Sequence, residues 1–425
     1  MKRSHLSPML PLFAAAVLLI GPAACRAGDW PGWRGPTGVG VSDEKDLPLT
    51  WGGKTKENVL WTKTIGGQGY SSPAVWGDRV FVTTMVTKKD AKEQVPENYV
   101  VCYKADDGTE LWRTLVPPGN WPSEKPGSNT AIPTPATDGE RVYAWFGDDK
   151  IGVLAALDFK GEVQWRFERL GPFSLNPGLC SSPVLYKDVV IQLCDQGGGK
   201  GFLVALDKKT GAVRWEQKRK KESHNNCTPV LIEVGGKPQL VVNASDALQG
   251  VDPDNGELLW WCNGPLGFGD SAAFGGGLVF AQSGAGGDSL AVCVDPSGRG
   301  DVTKTHVKWQ LPKAPGYYGS PVVAGDYVLR AYKPGFVSCR SLTTGEEVYS
   351  ERLEGVSTVC SPFVTADGLV YFVSGGKSFV VKPGPKLDVV GRSQLDLGDD
   401  GPSAAISGGR LFLKSSHGIA CIGKK

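Results

Sequence analysis

The sequence predicts an all-β protein: an eight-bladed β-propeller of four-stranded blades, its ring closed by an N-terminal strand. Three observations carry this. The segment Ser72-Pro73-Ala74-Val75-Trp76-Gly77-Asp78-Arg79-Val80-Phe81-Val82 recurs with variation eight times, its second residues standing at 73, 135, 183, 229, 272, 321, 362 and 404. Apart from the first, the spacings run from 41 to 49 residues, the length of a four-stranded blade. A turn glycine is followed four residues later by a large aromatic at Gly108/Trp112, Gly161/Trp165, Gly211/Trp215, Gly256/Trp260 and Gly345/Tyr349. Finally, the last repeat ends without a fourth strand, and Asn58-Val59-Leu60-Trp61 resembles the missing piece at the other end of the chain.

Taken in order, residues 1–27 read as a signal peptide. Lys2 and Arg3 precede the apolar run Leu10–Ile20, and small residues lead to Ala27 as the last residue before cleavage. The expected location is therefore outside the cytoplasm, in the periplasm or cell envelope. Lipid anchoring through Cys25 is the less favoured alternative, because Pro22 stands where a lipobox has an aliphatic residue. No later stretch reaches the ~20 apolar residues of a membrane-spanning helix. Residues 28–50 form an N-terminal arm, and residues 51–425 form the propeller.

The third repeat displays the physics of a blade. Ser182–Leu185 and Val189–Cys194 are β-prone runs around the turn pair Lys187-Asp188. Phe202–Leu206 gives a third strand, and Lys209-Thr210-Gly211 a turn in which glycine takes positive φ. Val213–Glu216, with Trp215, is the fourth. Neighbouring blades bury their faces against each other, so an aromatic repeated on the outer strand fills the wedge between them. Trp61, Trp112, Trp165, Trp215, Trp260, Trp309 and Tyr349 are assigned this docking role. A strand holding Trp61 and laid on the last blade removes its exposed edge and ties the two ends of the chain together.

The Asp-x-x-x-Gly-x-x-x-Trp pattern of Asp207–Trp215 resembles the pyrroloquinoline-quinone (PQQ) type propeller repeat, found in quinoprotein alcohol dehydrogenases and in BamB, an outer-membrane-assembly lipoprotein. The opening Asp29-Trp30-Pro31-Gly32-Trp33-Arg34-Gly35-Pro36 is similar to the leader of exported bacterial propellers of that group, with the BamB-like ones nearest in character. The resemblance covers residues 29–425. It implies the fold and leaves the activity open, since such repeats are mainly scaffold.

The cysteines are read mainly as packing. Cys102, Cys293, Cys339 and Cys421 share one repeat position in the third strand, where other blades place Ala156, Ala205 and Gly250. That position takes small buried residues, and four copies in four blades cannot pair with one another. Cys180 and Cys194 flank one hairpin, which leaves a bridge between them open.

Composition excludes some functions. Lys and Arg number 46 against 44 Asp and Glu, and losing Lys2, Arg3 and Arg26 with the signal leaves 43 against 44, a balance that attracts neither nucleic acid nor anionic lipid. The loops entering the innermost strands, where propellers bind ligands, hold Gln68, Tyr70, Asn129, Asn176, His224, Asn225, Asn226, Asp270, Tyr317, Tyr318, Asp399 and Asp400. Of these, Tyr70, Asn129, His224, Asn225, Asp270, Tyr317, Asp399 and Asp400 are the candidate ligand residues of the channel mouth, suited to a polar small molecule or an oxygen-bound cation. Lys218-Arg219-Lys220-Lys221 reads as a solvated basic loop.

The expected function is a non-catalytic binding or protein-interaction scaffold of the cell envelope, with envelope proteins or a polar ligand as partners and no cofactor. The alternative is a PQQ-dependent quinoprotein oxidoreductase, which would use PQQ and calcium, or another enzyme working at the mouth. The vicinal cysteines of quinoprotein alcohol dehydrogenases are missing, and neither a Gly-x-Ser-x-Gly elbow nor a HExxH motif is present.

Overall fold

The computed structural model describes residues 28–87, 96–116, 131–147, 151–170, 180–195, 201–219, 227–243, 247–264, 270–283, 290–314, 319–332, 335–353, 360–374, 376–397, 403–416 and 418–425. The signal peptide expected at residues 1–27 lies outside them. Eight sheets, antiparallel except where Gly300–Asp301 pairs in parallel with the outer strand of blade 4, form the blades of a β-propeller, and no helix of the described residues is long and apolar enough to cross a membrane.

Blades 1 to 7 run outward from the channel in chain order. Blade 1 comprises Ala74–Trp76, Arg79–Thr87, Pro96–Lys104 and Glu110–Leu115. Blade 3 comprises Val184–Tyr186, Val189–Cys194, Phe202–Asp207 and Val213–Lys218. In blade 8, Ala405–Ser407, Arg410–Lys414 and Gly418–Gly423 are completed by Val59–Thr64, with Trp61 opposite Cys421 and Thr64 opposite Gly418. The N-terminal strand closes the ring.

The second and third strands are apolar on both sides because both faces of a blade are covered. In blade 3, Val190, Val204 and Leu206 pack toward blade 2, while Ile191, Leu193, Leu203 and Ala205 pack toward blade 4. Strands buried on both faces lose the polar–apolar alternation of a half-exposed sheet.

The outer-strand aromatics dock across the gap between blades. Trp165 of blade 2 lies on Gly211 of blade 3, where a Cβ would stand 2.7 Å from the indole, and its Nε1 donates to Lys208 O at 2.9 Å. Trp61, Trp112, Trp215 and Trp309 donate likewise to Ala105, Phe159, Pro253 and Leu342. The turn glycine and the tryptophan therefore cooperate between blades, although the sequence shows them together within one. Trp260 departs from the pattern. It donates to Gln239 Oε1 at 2.7 Å, and Gln239 Nε2 passes the bond to Pro296 O, the equivalent carbonyl of blade 5.

Blade 7 carries Gly391 at the docking position, opposite Val380. The arm compensates: Leu49 O packs on Gly391, Trp51 N donates to Ser393 Oγ, and buried Leu47 and Trp51 join the core shared by blades 7, 8 and 1.

Cys102, Cys293, Cys339 and Cys421 are buried and stand directly across the ladder from Trp112, Trp309, Tyr349 and Trp61. The aromatic folds over this position, which is why it is small; at Gly250 a Cβ would lie 2.1 Å from the Trp260 indole. No disulfide joins Cys180 to Cys194, so the hairpin bridge is not formed.

Candidate functional site

The central channel is lined by the inner strands, and its wall is knit together by the Ser or Thr that opens each repeat. Ser72 N donates to Thr134 Oγ1 at 2.9 Å, Thr134 N to Ser182 Oγ at 3.0 Å, and Ser182 N to Thr228 Oγ1 at 3.0 Å. The belt continues from Thr228 N to Ser271 Oγ, from Ser271 N to Ser320 Oγ and from Ser320 N to Ser361 Oγ. It changes at blade 8, where Ser403 Oγ donates to Ser361 O. The hydroxyls of Thr134, Ser182, Thr228, Ser271, Ser320 and Ser361 each take an N–H that would otherwise go unpaired beside an innermost strand.

The arm lies along the inner strands. Trp30 exchanges backbone hydrogen bonds with Val75 of blade 1, and Pro31 O accepts from Thr137 N of blade 2. Thr37 O accepts from Leu231 N of blade 4, Gly40 O accepts from Val364 N of blade 7, and Ser42 N donates to Val364 O. The Glu44 carboxylate then accepts from the N–H groups of Gly408 and Gly409 at 2.6 and 2.8 Å, fixing the arm to blade 8. Between these anchors the arm reaches the belt itself, where Trp33 Nε1 donates to Ser271 Oγ at 3.2 Å.

Next to Trp33, Arg34 adopts a left-handed backbone, φ 54°, in a turn closed by Gly40 N donating to Arg34 O. Its Nη2 donates to Val39 O at 3.1 Å, Pro321 O at 2.5 Å and Pro362 O at 3.3 Å, so one side chain joins the arm to blades 6 and 7. Burial pushes the guanidinium down to about 9, while the Asp270 carboxylate works against that shift.

Asp270 does not stand open at the mouth. Its side chain is 9% exposed, with Oδ2 2.5 Å from Arg330 Nη2, and Arg330 Nε donates to Gly319 O. Burial raises its pKa, and Arg330 and Arg34 pull the other way. Its backbone carbonyl accepts from Asn243 Nδ2 at 2.8 Å. The carboxylate predicted to face a ligand is thus spent on an internal ion pair, because the second strand of blade 6 supplies an arginine beside it.

The basic stretch needs a similar correction. Arg219 is buried, donating from Nε to Asp195 Oδ1 at 2.9 Å and from Nη1 to Gln249 Oε1 at 2.6 Å. Lys220 and Lys221 lie outside the described residues. So do Asn129, His224, Asn225, Tyr317, Asp399 and Asp400, along with Asn176, Asn226 and Tyr318. Of the candidate ligand residues only Tyr70 and Asp270 are described, and Tyr70 is 44% exposed with its backbone N donating to Ala131 O. No cluster of three potential metal ligands occurs among the described residues.

Sequence reasoning missed Arg34, Arg330 and Lys414. Lys414 is buried in the second strand of blade 8 and donates from Nζ to Gly69 O at 2.5 Å. The signal was there to find: a cation inside an otherwise apolar second strand, as in Val328-Leu329-Arg330-Ala331, needs a buried acceptor.

Known proteins echo this architecture. The family model described as "Outer membrane protein assembly factor BamB" matches residues 96–351. A quinohemoprotein alcohol dehydrogenase of Comamonas testosteroni is 25% identical over 220 residues, covering 49% of this chain and 29% of its own length. A polyvinylalcohol dehydrogenase of a Pseudomonas species is 23% identical over 331 residues, covering 54% of this chain and 50% of its own. The chain therefore spans half or less of the length of these two relatives. Among solved structures, BamB of Moraxella catarrhalis superposes with a TM-score of 0.57 at 14% identity, covering 84% of this chain and 98% of that one, a likeness of fold.

Proposed function

This chain belongs to the PQQ-type propeller family whose model is described as outer membrane protein assembly factor BamB, and from that premise we propose that it is an exported, non-catalytic scaffold that binds proteins of the cell envelope. The observation that carries the reading is the arm bonded along the inner strands. The arm occupies the space along the inner strands, Arg34 seals it to blades 6 and 7, and Asp270 is engaged by Arg330. The belt, Arg34 Nη2 and the Asp270–Arg330 pair hold the centre rigid, which suits a molecule that offers loops and blade edges to a partner.

The reading includes no role for PQQ or calcium. A redox quinone needs a flat slot, a cation on its carbonyls and a free base. The described inner channel is a poor fit, because the arm lies along it and Asp270, its described candidate carboxylate, is paired with Arg330.

The likeness to dehydrogenases favours a second reading, a quinoprotein oxidoreductase, and one experiment separates the two. Purified protein is incubated with PQQ and calcium, and alcohol-dependent reduction of an artificial acceptor is followed. In parallel, a photo-crosslinking residue replaces exposed Tyr70 in cells. The scaffold reading expects no turnover and a discrete crosslinked protein. Turnover on loaded protein would replace it with the second reading.

A further inference from the structure

We propose that the centre of the propeller binds one small monovalent anion of about chloride size, held by the Nε and Nη1 hydrogens of Arg34. Arg34 is 1% exposed, and of its three side-chain nitrogens only Nη2 has acceptors. Nε and Nη1 are buried and make no hydrogen bond. A guanidinium has five N–H donors and stays protonated in proteins, so idle buried nitrogens on it are costly.

Charge points the same way. Arg330 pairs with Asp270, and Arg34 acts on the same carboxylate, so one negative charge answers two positive ones among the described residues of this centre. Water would satisfy the N–H groups and leave the excess charge; an anion answers both. Size is limited by what encloses Arg34. Arg34 is 1% exposed, and a Cβ on Gly40 would stand 2.6 Å from Nη2 and 3.0 Å from Nε. Enclosure this close favours a halide over a phosphate or a peptide carboxylate. The left-handed backbone at Arg34 is a sparsely populated conformation for a non-glycine residue and is kept only where the surroundings impose it, so the guanidinium is placed here by the fold. The inference does not depend on the scaffold reading.

The test uses the full-length protein. Thermal unfolding is measured as chloride replaces gluconate at constant ionic strength, which holds screening fixed. Wild type should show a Tm that climbs with the logarithm of chloride once the site begins to fill, and Arg34→Gln should show a flat response. A second measurement needs no variant: crystals soaked in bromide should give an anomalous peak within hydrogen-bond reach of Arg34 Nε or Nη1. If Arg34→Gln fails to fold, the bromide peak decides. A chloride-independent wild type, an equal slope in Arg34→Gln, or bromide bound only elsewhere would each overturn the proposal.

Discussion

At the third-strand position shared by Cys102, Cys293, Cys339 and Cys421, the side chain is chosen by the aromatic ring that stands opposite it. Burial pushes the thiols of Cys102, Cys293 and Cys421 up to about 12 from an ordinary 9.0, and that of Cys339 to about 11. Thiolate is the species that alkylates, so at pH 9 the native protein should leave these four unlabelled until denaturant is added. The sign for stability follows. Each raised pKa favours the folded state's neutral thiol only while the unfolded thiol is also neutral. Stability is therefore intact below 9 and falls as pH rises from there toward 12, as unfolded thiols ionise and folded ones do not. Alkaline unfolding midpoints with labelling by mass spectrometry check both statements. This position was legible because it repeats. The Asp270–Arg330 pair was not, since two ions sixty residues apart carry no period, and neither residue type announces its partner.

Among the elements, the arm and the closing strand differ in how plainly the sequence announces them. Val59–Thr64 repeats the outer-strand pattern and could be matched to the gap in the last blade. Residues 28–50 follow no period, because they are a succession of turns whose partners belong to seven different blades. Their Gly and Pro content signals turns without saying that those turns occupy the channel. Deleting residues 28–62 should remove Trp30, Leu47, Trp51 and Trp61 from the core, all of them buried. At about 2 kcal/mol for each large apolar side chain, the gross loss is about 8 kcal/mol, comparable with the whole stability of an ordinary domain. The truncated chain should lose its cooperative thermal transition, and an unchanged Tm would refute closure by this strand.

For the whole molecule, the strength of the sequence reading lay in repetition: eight copies of a small β unit leave few other ways to bury both faces of every blade. The hydroxyl belt was written in the same motif, since Ser or Thr opens all eight repeats, yet its hydrogen bonds cross between blades and no single repeat displays them. Belt and arm meet at Ser271, whose Oγ accepts from both Thr228 N and Trp33 Nε1. Ser271→Ala should strand two donors and cost about 2–4 kcal/mol, while Ser182→Ala strands Thr134 N alone and should cost about half as much. Denaturant midpoints of the two variants measure the difference, and equal losses would mean that the Trp33 bond contributes nothing. The closing ladder also has a meaning in time. It joins Val59–Thr64 to Gly418–Gly423, and a ribosome delivers the first long before the second. For most of synthesis that strand is an edge awaiting its partner, and the arm is a stopper without a bottle. A chain halted short of Gly418 thus forfeits more than one blade in eight, because it never gains the join through which blades 7, 8 and 1 come to share one core.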